Sequence, residues 1–452
     1  MKPRKFVVLI FAAGLAATAA AWTPPERVDR RPDNYVTYGN DIAVGPDGTP
    51  HIVWSECPRE TYLEMVKYSR RDHDTWTVPI NISRDSGDLR QPAVVVDSAG
   101  RPLAVWSEVY AARIRYARFL GDSWSVPKLC FSTGGITPRL AIDSRDRTHL
   151  LFEKYGRPGV IWYSYYVSEA DSWAHPCTAA AGPGELGWSD LAVDRDDHLH
   201  AVWMDWWTYG IGYSRNDGTG WSEPVRLPDP APQGQSCDPR IACDALGRPH
   251  VVWEERWGGY WVYYSTLVGD TWTQPVRVDT LPGLRPVLCC DETSRLHVVW
   301  RRSGLWHRAR AGSGWTEPVF ISDTAIAMLP ELATSPAGLH LAFRGGWWLF
   351  YSADAGAGGI SEERAIPAGQ RLDVVCLRGG ELLLRFDVQE RCNAAVSLWD
   401  SAGRLAWSCS LGQLEPGHHE GRVSVRQLPS GIYVCRLEAG GRPSAAKTVV
   451  LK

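Results

Sequence analysis

Apolar segments of one repeated type recur along the chain. In the clearest copy, His250-Val251-Val252-Trp253, a histidine and two apolar residues lead to an aromatic residue. Seven copies occur, and their aromatic residues stand at positions 54, 106, 152, 203, 253, 300 and 343. The mean spacing is about 48 residues, which is the length of a β-propeller blade.

Each repeat shows the pattern of four short strands. The first strand ends in Asp, as in Leu191-Ala192-Val193-Asp194, and a turn leads to the histidine-containing strand. A variable loop follows, and then a third strand such as Val262-Tyr263-Tyr264-Ser265. The fourth strand begins at a tryptophan such as Trp272, with Pro275 shortly after it. Proline suits an outer edge strand, where its missing N–H costs no hydrogen bond of the sheet.

A single four-stranded sheet of this kind leaves apolar residues on both of its faces. A ring of stacked sheets buries these faces and leaves only short edges. We therefore predict an all-β chain in which residues 22–368 form a seven-bladed β-propeller. An open array would need polar caps at its two ends, and the sequence shows none.

The N-terminal segment predicts how the ring closes. Trp22-Thr23-Pro24-Pro25 matches the outer-strand pattern Trp272-Thr273-Gln274-Pro275, yet it stands apart from any repeat. The last repeat has Ile360 in place of the aromatic residue and Glu363 in place of the proline. We expect the N-terminal strand to join the seventh blade and close the ring.

Two further columns of the repeat carry ionisable side chains. One histidine per blade places the histidines too far apart to share a metal ion, whose ligands lie within about 2–2.5 Å of one centre. We expect each imidazole to bond the backbone or a neighbouring blade, and each aspartate to accept N–H groups of its own turn. The acidic group Asp194, Asp196 and Asp197 lacks the spacing of a calcium-binding loop. The columns are His51, His149, His200, His250, His297 and His340, and Asp97, Asp143, Asp194, Asp244 and Asp291.

Composition and charge narrow the function classes. Apolar residues make up 44% of the chain and charged residues 22%, and the net charge is −3. These values argue against disorder and against a basic surface for nucleic acids. Lys2, Arg4 and Lys5 precede an apolar run over residues 6–15, and alanines occupy positions 19 to 21. This pattern predicts a signal peptide over residues 1–21, and no later stretch is apolar enough for a transmembrane segment.

The 11 cysteines do not indicate a metal site, because no Cys-x-x-Cys pair occurs. We predict neither a metal nor a cofactor. Export permits disulfides, but an odd number of cysteines scattered over a long chain does not require them. The pairing among Cys376, Cys392, Cys409 and Cys435 stays open.

The turn before the fourth strand carries a family resemblance. One copy reads Ser214-x-Asn216-x-Gly218-x-Gly220-Trp221, and another reads Ser352-x-Asp354-x-Gly356. This spacing resembles the Asp-box, or BNR repeat, of sialidases and other secreted propellers. The resemblance implies a sialidase-like β-propeller in which the box is a structural hairpin on the face opposite the active site.

Residues 370–452 follow a different pattern. Val396-Ser397-Leu398-Trp399-Asp400 is followed by Leu428-Pro429-Ser430-Gly431-Ile432-Tyr433 and, at the end, by Lys447-Thr448-Val449-Val450-Leu451. These landmarks resemble the C-terminal sorting domain of type IX secretion. The resemblance implies a small immunoglobulin-like β-sandwich that engages the secretion machinery of a Gram-negative outer membrane, and a mature protein that is secreted or held on the cell surface.

One face of the predicted ring gathers the candidate ligand-binding residues. The loops that leave the second strands and enter the first strands share this face, where propellers usually bind ligands. Carboxylates, arginines and flat aromatic rings suit a sugar, which they bind by hydrogen bonds and stacking. The alternative is that the tryptophans pack between blades and the charges only face solvent. The candidates are Asp41, Arg139, Asp190, Arg240 and Glu331 on the inner rim, and Glu108, Glu153, Asp205, Glu254, Trp207 and Trp257 beside it.

The sequence thus predicts a secreted or cell-surface propeller that recognises a glycan or an extracellular protein without turnover. The alternative is a sialidase-like glycoside hydrolase with Asp190 and Glu331 as catalytic carboxylates. By the family resemblance, a sialidase would need a three-arginine clamp and an Arg-Ile-Pro signature. The signature is absent, and only Arg139 and Arg240 stand at comparable inner positions. The third hypothesis is that the protein is a purely structural scaffold on the cell surface.

Overall fold

The chain divides into two compact units, residues 1–359 and 360–452. The computed structural model describes residues 22–30, 35–354 and 372–450, except residues 62, 74, 133, 155, 232, 313, 323–326, 378–380, 389–390, 400–404, 426–427, 429–430 and 440–441. The expected signal peptide and the expected boundary near residue 369 lie outside the described residues.

The first unit consists of seven antiparallel sheets, which we call blades 1 to 7 in chain order. Within each of blades 1 to 6, the chain runs from the innermost strand outward through a second, a third and an outer strand. Each innermost strand contacts the innermost strand of the next blade, and those of blades 7 and 1 also meet. The ring is therefore closed, which confirms the predicted seven-bladed propeller.

The strands of the first four blades have the following bounds. Blade 1 contains Tyr35–Val44, Pro50–Pro58, Met65–Asp72, Thr75–Trp76 and Ile80–Asn81. Blade 2 contains Leu89–Val96, Pro102–Glu108, Arg113–Arg118 and Lys128–Leu129. Blade 3 contains Ile136–Ile142, Thr148–Lys154, Gly159–Val167, Ser172–Trp173 and Cys177–Gly182, with the 3-10 turn Ser168–Ala170. Blade 4 contains Leu186–Val193, Leu199–Asp205, Gly210–Asn216 and Val225–Arg226.

The remaining three blades follow the same order. Blade 5 contains Ser236–Cys243, Pro249–Arg256, Tyr260–Val268, Thr271–Trp272 and Val276–Arg277. Blade 6 contains Leu284–Cys290, Leu296–Arg301, Leu305–Ala311, Gly314–Trp315 and Val319–Ser322. Blade 7 contains Ala327–Ser335, Gly338–Gly345 and Trp348–Asp354, and its outer strand is the N-terminal segment Glu26–Arg27.

The N-terminal strand completes blade 7 by antiparallel pairing. Glu26 lies opposite Tyr351, and Arg27 lies opposite Phe350. Next to this strand, Val28 is fully buried in a core that joins blade 7 to Trp54 and Trp76 of blade 1. The first and last parts of the propeller sequence are thus held together by one sheet and one apolar core.

A repeated chain of polar and aromatic contacts links the blades. His250 Nδ1 lies 2.8 Å from the Tyr264 hydroxyl of the same blade, and His250 Nε2 lies 3.3 Å from the Asp244 carboxylate. The Tyr264 ring then meets Trp315 of the next blade edge to face, with centroids 5.4 Å apart. The expectation that the histidines bond the backbone or a neighbouring blade is therefore wrong. Histidine and tyrosine are diagonal neighbours on one face of the sheet and reach each other directly.

The aspartate column has the predicted structural role. Asp244 Oδ1 accepts hydrogen bonds from the backbone N–H groups of Leu246 and Arg248, both at 2.9 Å. The carboxylate therefore closes the first turn of its blade and also holds the histidine of the second strand. This double use explains why Asp and His recur six residues apart.

The second unit is a small β-sandwich, which confirms the all-β class along the described chain. Leu382 and Leu384 of one sheet share a buried core with Val396 and Leu398 of the other. One sheet contains Leu372–Leu377, Glu381–Val388 and Gly417–Ser424, and the other contains Leu405–Leu414, Cys392–Trp399, Gly431–Ala439 and Arg442–Val450. Several residues that carry the sorting-domain resemblance, including residues 400 and 429–430, lie outside the described positions.

The nine cysteines whose side chains the structure describes are free thiols, and the disulfide question stays open for the other two. Along the described residues, no helix has the length and apolar character needed to cross a membrane.

Candidate functional site

A β-bulge near the start of each innermost strand shapes one face of the ring. In six blades one residue of the bulge adopts a left-handed backbone conformation, with φ between 48° and 53°. A bulge inserts one extra residue and re-aims the side chains beside it. The six residues are Gln91, Thr137, Trp188, Asp238, Arg285 and Leu329.

The bulges place the predicted inner-rim residues at equivalent positions. Asp41 lies opposite Val53 of its second strand, and Glu331 lies opposite Ala342 in the same way. Arg139, Asp190 and Arg240 occupy the matching positions of blades 3, 4 and 5. All five side chains therefore belong to one level of the ring.

The structure brings these rim residues together as an ion network. Arg240 donates two hydrogen bonds to the Glu331 carboxylate, at 3.0 and 2.7 Å. Arg139 lies 3.9 Å from Asp190 and 4.0 Å from Glu331. Because blades 3, 5 and 7 are not neighbours, the network crosses the centre of the ring. Paired in this way, the charges largely neutralise one another.

Asp41 and Asp190 of this rim also join neighbouring blades through hydrogen bonds to the backbone. Asp41 accepts a hydrogen bond from the backbone N–H of Val94 at 2.8 Å, and Asp190 accepts one from Ile241 at 2.9 Å. Burial, with the nearby negative charge of Glu331, raises the pKa of Asp41 to about 7. Burial also raises the pKa of Asp190. Both candidate catalytic carboxylates thus take part in contacts between blades, Asp190 with Ile241 and Arg139, and Glu331 with Arg240 and Arg139.

Three of the carboxylates predicted beside the rim stabilise loops or neighbouring blades. Glu108 pairs with Arg115 of its own blade. Asp205 accepts hydrogen bonds from the Trp207 backbone N–H at 2.8 Å and the Thr208 hydroxyl at 2.9 Å. The fourth carboxylate, Glu153, has a different environment.

Glu254 joins two blades through its carboxylate. It accepts hydrogen bonds from the Arg256 side chain at 2.7 Å and from the backbone N–H of Arg285 at 3.1 Å. Arg285 is the bulge residue of the next blade, so this contact fixes the bulge in place.

Glu153 lies in a cavity of about 180 Å³ between blades 2, 3 and 4. Its Oε1 accepts hydrogen bonds from the Ser189 backbone N–H at 2.8 Å and the Ser189 hydroxyl at 3.1 Å. Burial, only partly offset by these bonds, raises the pKa of Glu153 to about 7. A carboxyl group that titrates near neutrality can donate a hydrogen bond as well as accept one. Other residues that line the cavity are Gln91, Thr137, Lys154, Glu185, Trp188 and Trp206.

Two tryptophans form the aromatic part of this cavity, which we call the Trp188 pocket. The rings of Trp188 and Trp206 meet at 61° with centroids 4.7 Å apart. The Arg256 guanidinium lies 5.8 Å from the Trp188 ring centre. The pocket therefore combines aromatic faces, a carboxyl group and amide and hydroxyl side chains within a small volume.

Two exposed tryptophans follow residues that form or contact the pocket. Trp207, which follows Trp206 directly, is 61% exposed, and Trp257, which follows Arg256, is 52% exposed. The Arg157 guanidinium lies 5.2 Å from the Trp207 ring centre. Both tryptophans were predicted to contact ligand, and the structure places them in solvent-accessible loops of blades 4 and 5.

Sequence reasoning did not identify Trp188, Gln91 or Thr137. All three are bulge residues, whose special backbone conformation is invisible to a simple strand pattern. One signal was present, because proline follows the bulge residue in five of the six blades. Within a sheet, proline is tolerated at bulges and edges, so these prolines mark the position.

A second cavity of about 520 Å³ lies at the opposite mouth of the channel, among the first turns of the blades. Asp194 lines this cavity, and in the same turn Asp194, Asp196 and His198 approach one another, with potential ligand atoms within 4.8 Å. Asp194 already accepts hydrogen bonds from the backbone N–H groups of Asp196 and His198 and lies 3.1 Å from His200 Nε2. These atoms stabilise the turn. The absence of a metal site stays a prediction.

The similarity of this chain to known proteins is limited to the fold. No family model and no curated protein matches the chain. An ulvan lyase of polysaccharide lyase family PL25, bound to -[GlcA(1-4)Rha3S]-, shares 12% identity over 74% of this chain and 97% of its own, with a TM-score of 0.53. The polysaccharide lyase Uly1 shares 10% identity over 71% and 90%, with a TM-score of 0.50.

A third similar structure has different chemistry. A fungal alcohol oxidase of the AA5 family, in complex with copper, shares 12% identity over 96% of this chain and 100% of its own, with a TM-score of 0.52. Identities this low show a common fold alone. Glycan-processing enzymes and an oxidase share this architecture, so the function of this chain has to be argued from its own site.

Proposed function

We propose that the protein recognises a saccharide in the Trp188 pocket without chemical turnover. The observation that carries this proposal is the Trp188 and Trp206 pair beside the buried Glu153 carboxyl. Aromatic faces bind the C–H face of a sugar ring, while carboxyl, amide and hydroxyl groups bind its hydroxyls. The propeller fold of two polysaccharide lyases is consistent with a glycan-related role.

The size of the pocket suits one sugar ring. Its volume of about 180 Å³ is below the roughly 300–1,000 Å³ of sites for drug-sized ligands. The exposed rings of Trp207 and Trp257 provide additional faces outside the pocket. We infer that the pocket binds one residue of a longer glycan and that the outer rings contact its neighbours.

The backbone conformation at Trp188 determines how its side chain enters the pocket. Its φ of 50° is in the left-handed region, where a bulky residue is rare and costs of order 1–3 kcal/mol. Five other bulge residues share this conformation, so it belongs to the fold, and the side chain at position 188 is what distinguishes the pocket. The conformation directs an indole, rather than a small side chain, into the pocket.

A substitution at this position separates binding from folding. Trp188→Gly removes the indole and at the same time relieves the strained φ, because glycine adopts this conformation freely. We expect glycan-array binding to be lost, while the free energy of unfolding changes by no more than about 1 kcal/mol. Leu329→Gly is the matched control, since Leu329 has φ 52° in blade 7 and lies outside the pocket. Equal binding by both variants and the wild type on the array would contradict the proposal.

A glycoside hydrolase is the second candidate, favoured by the pKa of Glu153. A carboxyl group with a pKa of about 7 suits a general acid at neutral pH, and Glu185 supplies a second carboxylate in the same cavity. Release of sugar by the wild type from array-positive glycans, abolished in Glu153→Gln, would replace recognition by hydrolysis as the function. Saturable binding without release would exclude it.

We also propose that the protein is exported to the outer surface of a Gram-negative cell. The signal-peptide pattern at the N-terminus and the sorting-domain resemblance of the tail support this location, as does the sialidase-like Asp-box resemblance of the propeller. A chain that ends at residue 359 should then stay in the periplasm, whereas its appearance in the medium would refute a role of the tail in sorting.

A further inference from the structure

One edge of the Arg344 guanidinium lacks an oxygen acceptor. Arg344 is the penultimate residue of the second strand of blade 7, and its Nη1 donates a hydrogen bond to the Thr37 carbonyl oxygen of blade 1 at 2.9 Å. Its Nη2 lies 2.8 Å from the Met328 sulfur, and its Nε is buried with no hydrogen-bond partner. Thioether sulfur is a weak acceptor, so the edge formed by Nε and Nη2 is effectively unsatisfied.

The charge of Arg344 is also unbalanced. No carboxylate of the described residues forms an ion pair with it, whereas Arg240 pairs with Glu331 and Arg302 with Asp279. Burial, reinforced by the positive charge of Arg285, lowers the pKa of Arg344. A partly buried cation beside a second cation is unfavourable unless an anion compensates both.

The repeat places this arginine where other blades carry an acid. The residue after the strand aromatic is Glu153 in blade 3 and Glu254 in blade 5, but Arg301 in blade 6 and Arg344 in blade 7. The equivalent position thus changes sign around the ring. Arg285, the bulge residue of blade 6, adds a further guanidinium on the cationic side; its nearest carboxylate, Asp238, is 4.0 Å away.

We propose that Arg344 and Arg285 form an oxyanion subsite for a carboxylate or sulfate group on an acidic saccharide. Two oxygens of such a group match the Nε and Nη2 edge of a guanidinium in a bidentate contact. The Met328 side chain covers this edge, and because it is flexible it moves aside when the anion enters. The subsite lies on the same face of the ring as the Trp188 pocket but shares no lining residue with it, so anion binding does not depend on the proposed sugar pocket.

Calorimetric titration of the full chain with three probes tests the subsite. The probes are sodium sulfate, glucuronic acid and methyl glucoside. We expect sulfate and glucuronic acid to bind and Arg344→Gln to weaken both by about tenfold or more, as expected for the loss of a charge-assisted bidentate contact. Arg226→Gln is the matched control, because it removes the same charge from the same face but Arg226 already pairs with Asp229 at 3.0 Å; its affinities should stay at the wild-type value.

A second variant covers the case in which Arg344→Gln fails to fold. Met328→Ala clears the unsatisfied edge and keeps Arg344, so it should raise the affinity for both anions. Absence of anion binding by the wild type, or equal weakening by Arg344→Gln and Arg226→Gln, would overturn the subsite. Tighter binding of glucuronic acid than of sulfate assigns the site to an acidic saccharide, and equal binding assigns it to the free anion, which overturns the saccharide part. Array binding of neutral glycans reports on the Trp188 pocket separately.

Discussion

The repeated histidines act as buried links between strands. The Nδ1 atom of each imidazole lies 2.7 to 3.1 Å from a polar atom of the third strand. This atom is a tyrosine hydroxyl in five blades and His307 Nε2 in blade 6. In blades 3 to 6, the turn aspartate holds the second ring nitrogen. Blade 1 has Gly45 at that turn position and blade 7 has Ser335. The local charge around the histidine therefore differs between blades although the packing is the same.

His51 shows the consequence for acid stability. Burial, with the positive charge of Arg70, lowers the pKa of His51 to about 4. Below pH about 6.5, the unfolded chain takes up a proton that the folded chain does not, so stability is lost as pH falls from about 6.5 to about 4. Between pH about 7.5 and about 5, this single group accounts for roughly 2 kcal/mol.

Urea unfolding at these two pH values measures this loss. The free energy of unfolding of His51→Gln should fall less than that of the wild type, by the amount assigned to His51. His73→Gln should keep the wild-type pH slope, because the His73 side chain is 94% exposed. A His51→Gln slope equal to that of the wild type would show that the imidazole is not buried as described.

The histidines and aspartates that recur in each repeat could be identified from the sequence, but the residues that they contact could not. Six histidines in register indicate a structural role, and that role is what the contacts show. The hydroxyl partner is a tyrosine of the third strand, and its identity depends on which diagonal neighbour shares a face. A one-dimensional repeat gives strand order but not the face of each side chain relative to the neighbouring strand.

At the scale of elements, the innermost strand is the part that departs most from a simple strand. The sequence pattern predicts an apolar strand ending in Asp, and that portion is regular in every described blade. The bulge precedes it, and it carries Gln91, Thr137 and Trp188 of the Trp188 pocket. Strand prediction relies on the alternation of side chains, so it misses an extra residue that breaks the alternation. The prolines that follow the bulge residues are the feature of the sequence that indicates the bulge.

The closing strand of blade 7 is the element on which the ring depends. Val28 beside this strand and Val278 beside the outer strand of blade 5 occupy matching sequence positions, and both are fully buried. Val28→Ala should lower the free energy of unfolding by about 2 kcal/mol, as for a fully buried valine, and Val278→Ala by a similar amount. Denaturant unfolding measures both.

An exposed valine provides the control for this comparison. Val276 is 43% exposed on the outer segment of blade 5, so Val276→Ala should change the free energy of unfolding by less than about 0.5 kcal/mol. If Val28→Ala behaved like Val276→Ala rather than like Val278→Ala, the N-terminal strand would not close the ring in solution.

At the scale of the whole molecule, ring closure decides which residues meet. Arg139, Arg240 and Glu331 come from non-adjacent blades and meet only because seven innermost strands surround one axis. The sequence predicted that these residues share a rim. It did not predict that their charges pair, because side chains from one level of a narrow channel reach across it. Their pairing places ion pairs across the ring axis, at the level where the ligand site was expected.

The Trp188 pocket likewise exists only in the assembled ring. Its walls come from blades 2, 3 and 4, and its strained tryptophan, its buried glutamate and its outer aromatic rings lie on three different kinds of element. Glu153, Trp207 and Trp257 could be proposed from the repeat, because they follow the strand aromatic. Trp188 and Gln91 required the geometry of the bulge.

Hydrogen exchange of the full chain, with and without a saccharide that binds on the array, tests the central claim most directly. The claim is that ligand binds at the Trp188 pocket on the bulge face of a closed seven-bladed ring. We expect slower exchange of backbone amides in residues 134–138 and 185–190, and unchanged exchange in the opposite turns at residues 194–198 and 244–248. Slower exchange confined to those opposite turns, or no change anywhere in the propeller, would contradict the account.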